Sequence, residues 1–380
     1  MGNSDTPFWR ALMIKRFTVR NFKNFRDSCT LDLSRVRDYS FNGHLLKDGI
    51  VNKALLYGKN GSGKSNLGFA LMDIATHLTD NLRNPANYLF SLNGDCPSNT
   101  MGFRYEFSFN GKDVTYEYEK KEDLSLVKES IIVNGELVFA YDYGTNRMDN
   151  RLPELDALNE QAIRNRNMNN SVIKSIYGFA ANLPEDSPIR LINEFASGML
   201  WFRSLGSYEF MGSTNAIENV EQYLASDSDV LHDFQAFLAD CGLSYNLRTV
   251  SDVTGKRIYA HFANQDYPFF AIASTGTRSL CLFFYWMSKM KGRIKFLFLD
   301  EYDAFYHFNL SQGILKRVNS DPSFQSILTT HNPYLADNAI MRPDCYLNIK
   351  DGRIQSFADS TNRVIREGNS LERMVLSDDL

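Results

Sequence analysis

The sequence predicts an α/β fold arranged around a phosphate-binding loop, and three observations carry that prediction. Residues 58–65 read Gly58-Lys59-Asn60-Gly61-Ser62-Gly63-Lys64-Ser65, directly after the apolar run Ala54-Leu55-Leu56-Tyr57 and before a helix-like stretch from Ser65 to Leu78. Two later segments, Ile294 to Glu301 and Phe324 to His331, are nearly continuous apolar runs of the kind that form parallel strands buried on both faces. Between these landmarks, residues 103–141 alternate with period 2 and are broken at Asn110-Gly111 and Asn134-Gly135, the signature of antiparallel hairpins.

Taken in chain order, Ile14 to Phe22 and Cys29 to Leu33 alternate as two strands joined by the turn-prone Lys23-Asn24-Phe25-Arg26-Asp27. They lead into the strand at 54–57, the loop and its helix. Phe103, Tyr105, Phe107 and Phe109, then Val114, Tyr116 and Tyr118, mark one face of the hairpin sheet. From about 150 to 245 the pattern becomes helical, with an Asn- and Arg-rich run at 158–170 expected as an exposed loop or frayed helix and apolar residues returning at 172–202 and 217–240. Strands resume at Arg257 to Phe262, followed by Ser274-Thr275-Gly276-Thr277, an apolar helix from 279 to about 290, and the two buried strands. Tyr346 to Ile349 and Arg353 to Phe357 flank Asp351-Gly352 as a last hairpin. Three regions follow: 1–145 with the loop and the antiparallel lobe, 146–250 as a helical insertion, and 251–380 completing the first.

Composition bounds the rest. The 380 residues are 43% hydrophobic with net charge −4, so the core is ample and no global basic field announces nucleic acid. Five scattered cysteines without a CxxC pair argue against a disulfide framework or a zinc site and suit reduced core thiols. The N-terminus shows no secretory signal, the dozen residues before Met13 suit a flexible extension, and the longest apolar run falls far short of the roughly 20 residues that span a bilayer. A cytoplasmic protein with no membrane partner is expected. Phe269-Phe270 and Leu282 to Trp286 are read as core packing, and Lys15, Arg16, Arg20, Lys23 and Arg26 as a solvated face.

Glycines at 58, 61 and 63 let backbone N–H groups turn inward around a nucleotide's phosphates, and the helix beyond adds the positive end of its dipole. Lys64 is placed to reach the β- and γ-phosphates and the Ser65 hydroxyl to ligate Mg²⁺. In open α/β sheets ligands lie at the carboxyl ends of strands, so 57/58, 300/301 and 330/331 converge on one crevice. There Asp300 would hold Mg²⁺ and Glu301 would polarise a water for in-line attack, against the alternative of a strand-end turn. His331 is either a structural histidine or a hydrogen-bond partner of the γ-phosphate or the attacking water. Ser274, Gly276 and Thr277 form either an ordinary helix cap or a set of donors that meets the phosphate bound by another subunit.

The opening Ile14-Lys15-Arg16-Phe17-Thr18-Val19-Arg20-Asn21-Phe22-Lys23-Asn24-Phe25 is one part of a larger set. It joins the loop Tyr57 to Leu67 and the endings Asp300-Glu301 and Thr330-His331-Asn332-Pro333. This set resembles the ABC-type ATPases of the RecF, SMC, Rad50 and OLD group. The similarity is strongest to their short stand-alone relatives in bacterial antiphage systems such as PARIS (its AriA component), Septu and abortive-infection pairs. It covers roughly 1–140 and 250–360 and implies an ABC-ATPase head with ATP and Mg²⁺ as cofactors, the loop and Asn66 as nucleotide contacts, and Lys64, Glu301 and His331 as catalytic residues. It further implies that Ser65 and Asp300 bind the metal, that Ser274-Thr275-Gly276-Thr277 is the signature loop contacting ATP across a dimer or higher homo-oligomer, and that Asp303 and His307 lie in the D-loop region, where Phe308 replaces the usual proline. It assigns no residue to the family's Q-loop. The short stretch after His331 leaves no room for the nuclease domain of OLD proteins, so an intrinsic nuclease is not expected. Nor is there the coiled coil or zinc hook of the chromosome-organising members. The resulting expectation is an ATPase that gates a separate effector, a nuclease or toxin, in antiphage defence. The rivals are a DNA-repair-like ATPase acting directly on DNA ends and a nucleotide-stabilised scaffold; a transporter subunit is disfavoured.

Overall fold

The computed structural model describes residues 12–79, 89–152, 170–179, 183–203, 210–212, 220–252 and 255–377. The extension before Leu12, the run at 158–169 and residues 217–219 lie outside the described residues. Strands β1 (Leu12–Arg20) and β2 (Cys29–Asp32) pair antiparallel, and β3 (Leu46–Lys47) with β4 (Ile50–Val51) makes a small separate hairpin. β5 (Lys53–Tyr57) precedes the loop and α1 (Lys64–Leu78). The hairpin block is β6 (Thr100–Phe109), β7 (Lys112–Lys121), β8 (Leu126–Val133), β9 (Glu136–Asp142) and β10 (Arg147–Asn150). Helices Val172–Phe179 and Pro188–Ser197 lead to β11 (Met199–Arg203) and β12 (Phe210–Gly212). Helices Val220–Leu224 and Ser228–Asp240 precede a three-stranded sheet of β13 (Leu247–Asp252), β14 (Gly255–His261) and β15 (Asp266–Pro268). After helix Thr275–Lys289 come β16 (Phe296–Asp300), helix Phe308–Asn319, β17 (Gln325–Thr330), β18 (Tyr346–Lys350) and β19 (Arg353–Ser356).

Two seven-stranded sheets organise these elements. The lobe sheet runs β10-β9-β8-β7-β6-β1-β2, and the central sheet runs β12-β11-β16-β17-β5-β18-β19. The five inner strands of the central sheet are parallel, with β12 and β19 antiparallel at its edges. The α/β class read from the sequence is the one observed, a parallel core carrying the phosphate loop beside an antiparallel lobe. The Asn110-Gly111, Asn134-Gly135 and Asp351-Gly352 turns each have two consecutive positive φ angles, the conformation that matches hairpin twist.

The helix α1 lies between the two sheets. One side packs so tightly on the central sheet that a Cβ at Gly68 would stand 2.7 Å from the Phe298 ring and 2.9 Å from the Trp201 indole nitrogen. The other side meets the aromatic face of the lobe, where the Tyr105 hydroxyl donates to Ala70 O at 3.0 Å. Asp73 accepts from Tyr118 and from the buried Lys120 ammonium, both at 2.7 Å. Gln325, at the start of β17, joins the sheets: its Oε1 accepts from Ile14 N, and its Nε2 donates to Ile14 O and Val51 O.

The region read as helical contains more than helices. Met199–Arg203 is an inner strand of the central sheet, and its first four residues are fully buried. A continuous apolar run of four residues suits a buried strand and a helix segment alike, and only pairing with β16 decides between them. The five basic residues near the N-terminus also differ from the expectation in part. Arg16 pairs with Asp32 and Glu106 and Arg20 with Glu119 across the lobe sheet, while Lys23 is half-buried near the Phe22 and Phe69 rings.

Candidate functional site

The parallel register sets the carboxyl ends of the inner strands at one edge. Arg203 lies opposite Asp300, and Thr330 and Asn348 lie on either side of Tyr57. The loop leaves β5 at this edge and returns into α1. Gly63 turns the chain into the helix with φ of 106°, and a Cβ there would meet the Asn24 amide at 2.5 Å. The Asn24 Oδ1 also accepts from Asn66 Nδ2 at 2.7 Å, so the β1–β2 turn braces the loop from outside. The first turn of α1 has no acidic residue, which leaves its N-terminal N–H groups and dipole for an external anion.

Lys64 is buried and donates to Gly58 O at 2.6 Å and Lys59 O at 3.1 Å, so its ammonium is held against the loop's own carbonyls. Burial pushes its pKa below the usual lysine value, opposed by the charges of Asp300, Glu301 and Asp303. Three carboxylates therefore act electrostatically on the loop lysine. Asp300 is fully buried: its Oδ1 accepts from Thr329 Oγ1 at 2.8 Å, and Thr329 Oγ1 in turn accepts from Glu301 N at 2.8 Å. Glu301 follows with φ of 47°, a conformation that side chains larger than Asn and Asp rarely take. Asp303 accepts from Thr330 Oγ1 at 2.8 Å, and burial raises its pKa while that bond and His331 lower it. His331 is exposed immediately after β17.

Arg203 is the residue that the motifs missed. Its Nη2 donates to Asp300 Oδ2 at 2.9 Å and to Ser65 Oγ at 2.8 Å, and its Nε reaches the same carboxylate oxygen at 3.1 Å. An apolar run closing in a charge, the pattern of β16, is also that of Met199 to Arg203 and is the signal that could have found it.

Ser274, Gly276 and Thr277 are elsewhere. The Ser274 hydroxyl caps helix Thr275–Lys289 by accepting from Thr277 N at 3.1 Å, and Gly276 lies close to Phe305 O. All three line a cavity of about 500 Å³ with Gly242, Phe305, His307 and Arg317, and no residue of the phosphate loop lines it. The chain thus gathers the loop, Asp300, Glu301, Asp303 and His331 in one neighbourhood and presents the Ser274 turn at another.

Residues 183–337 match the family described as AAA domain, putative AbiEii toxin, Type IV TA system. No curated protein matches the chain. Among solved structures, the SMC head domain from Thermotoga maritima is similar with 16% identity and a TM-score of 0.44, covering 90% of this chain and 98% of its own. The Smc head domain with a coiled coil and joint from Pyrococcus yayanosii has 10% identity and a TM-score of 0.47, covering 97% and 100%. The Pyrococcus furiosus Smc head with an extended coiled coil, bound to the C-terminal domain of ScpA, has 12% identity and a TM-score of 0.44, covering 97% and 99%. Among the described residues no helix is long and apolar enough to cross a membrane.

Proposed function

We propose that this protein is an Mg²⁺-dependent ABC-type ATPase that binds and hydrolyses ATP, pairs with a second copy around it, and thereby gates a separate effector protein. The observation that carries the reading is the meeting of the phosphate loop, the Asp300-Glu301 pair and His331 at the carboxyl edge of one parallel sheet, with Lys64 among the carboxylates. The loop from Gly58 to Asn66 takes the phosphates on backbone N–H groups and on Lys64, which exchanges its carbonyl partners for phosphate oxygens.

Ser65 Oγ and Asp300 Oδ2 already touch one cationic atom, Arg203 Nη2, so this pair of hard oxygen donors fits a magnesium ion. When bound, a metal held by Ser65 and Asp300 would supply charge neutralisation for the nucleotide's phosphates. Glu301 polarises the attacking water, and Thr329, by bonding both the Glu301 N–H and Asp300, keeps the two carboxylates in step. His331 stands at the same edge to bond the γ-phosphate or that water. Ser274, Gly276 and Thr277, turned to a separate cavity, suit contact with the nucleotide of a partner copy better than with their own.

The matched family's description names a putative toxin of a type IV TA system, and on our reading the role is bacterial defence, with the effector a nuclease or toxin. Uptake of ATP with Mg²⁺, lost in Lys64→Ala, tests the reading, and a folded wild-type protein that takes up no ATP overturns it. Light scattering with ATP is expected to show a doubled mass in Glu301→Gln. For the effector, the protein is purified with the products of adjacent genes and weighed with and without ATP. An assembly that ATP leaves unchanged removes the gating role.

A further inference from the structure

The guanidinium of Arg203 bridges the two side chains that, on the ATPase reading on which this inference rests, ligate the metal. Arg203 ends β11 directly opposite Asp300 in the parallel register, so its side chain starts beside the carboxylate. The Asp300 side chain is 0% exposed and that of Arg203 is 25% exposed. Asp300 Oδ1 is engaged by Thr329, which leaves Oδ2 as the oxygen that Arg203 and a metal would both need. Lys64, the other nearby cation, is held on the carbonyls of Gly58 and Lys59.

We propose that Arg203 is a resident counter-ion that competes with the divalent metal for Ser65 and Asp300, so that metal loading requires the guanidinium to leave. A buried carboxylate without a counter-charge is strongly disfavoured, so the metal-free site needs a cation of its own, and Arg203 supplies it. Two cations in contact with the same buried oxygen repel each other where water does not screen them. The exposed quarter of the Arg203 side chain opens its exit, because a long stem can carry the charged head to solvent while its base stays packed. The competition has two signatures of opposite sign. Without metal, Arg203 offsets the repulsion between Asp300 and the phosphates and so favours nucleotide. With metal, it must first be displaced and so weakens metal binding.

The test uses the full chain and Mn²⁺ alone, read by electron paramagnetic resonance of the free ion. Arg203→Gln is expected to bind Mn²⁺ roughly tenfold more tightly than the wild type, as for a site that is free in about a tenth of molecules. The same variant is expected to take up ATP more weakly than the wild type in EDTA. Asp300→Asn is expected to abolish the gain in the Arg203→Gln background. Equal Mn²⁺ affinity in wild type and variant overturns the proposal. Should Arg203→Gln lose its fold, Arg203→Lys decides: an ammonium lacks the two-point grip on the carboxylate, so Mn²⁺ binding again tightens several-fold, and wild-type affinity overturns the proposal. Wild-type uptake of Mg²⁺ and ATP with no effect of either variant on Mn²⁺ removes the competition and leaves the ATPase reading intact. Tighter Mn²⁺ binding in the variants with no uptake of ATP by the wild type removes the ATPase reading and leaves a metal site guarded by Arg203.

Discussion

Glu301 sits one residue past β16 with φ of 47°, a backbone state that costs a non-glycine residue about 1–3 kcal/mol and persists only where its surroundings enforce it. The enforcing contact is the bond from Glu301 N to Thr329 Oγ1, and the same hydroxyl donates to Asp300. One threonine on β17 therefore orients Asp300, the last residue of β16, and Glu301 just beyond it. The expected consequence concerns turnover rather than binding. On the proposed function, Glu301→Gln keeps the shape and removes the base, so ATP binding is expected to be retained while steady-state hydrolysis falls by roughly 10²–10⁴-fold. Undiminished phosphate release by that variant would remove Glu301 from the role of base. Asp300, Glu301 and His331 were legible in the sequence because each stands at the end of an apolar run, where a strand must open to solvent. Arg203 ends such a run too, but its meaning depends on the strand beside it, and a one-dimensional pattern does not name neighbours.

At the scale of elements, α1 is a wedge between a parallel and an antiparallel sheet, and the contact with the lobe includes a buried ion pair. Lys120 and Asp73 are 2% and 1% exposed at the side chain, with Tyr118 donating to the same carboxylate. Removing one partner leaves the other charge buried, so Lys120→Met is expected to destabilise the fold by about 3–5 kcal/mol in urea unfolding. The double variant Lys120→Met with Asp73→Leu is expected to recover most of that loss. A double variant no more stable than the single one would show that packing around Lys120, rather than its charge, holds the lobe. The hairpins of the lobe were legible from alternation and from Asn-Gly turns, which are local codes. The strand β11 was not, because its four apolar residues carry no period, and the helices on either side of it coloured the whole region.

For the whole molecule, the end of the central sheet opposite the loop carries a further buried lysine. Lys53 donates to Phe324 O and lies 3.8 Å from that ring, and burial pushes its pKa down to about 7. In the unfolded chain a lysine titrates near pH 10.4, so between about pH 7 and 10.4 the unfolded state binds a proton that the folded state does not. Stability from this residue therefore rises with pH across that window, by up to ~1.4 kcal/mol per pH unit. The penalty is fully present below pH 7. Lys53→Met is expected to be more stable than the wild type at pH 7, with the difference shrinking by pH 9 in parallel urea titrations. A difference that does not change between those pH values would mean that Lys53 keeps its proton on folding. Thiol accessibility follows the same core. Cys29, Cys281 and Cys345 are buried and Cys96 and Cys241 half-exposed, so a thiol reagent is expected to label at most two cysteines promptly in the native state and all five on unfolding. Prompt labelling of more than two would contradict the packing.

By itself the sequence determined the α/β class, the phosphate loop between strand and helix, the hairpin turns and the residues that close the two buried strands. Each of these is written in contiguous residues whose backbone preferences and periodicity act locally. Only the tertiary structure decided that β11 belongs to the central sheet, that Arg203 bridges Ser65 and Asp300, and that Ser274, Gly276 and Thr277 face a cavity away from the loop. Those outcomes depend on which strands become neighbours and on burial, which places opposite charges together because neither tolerates isolation from water.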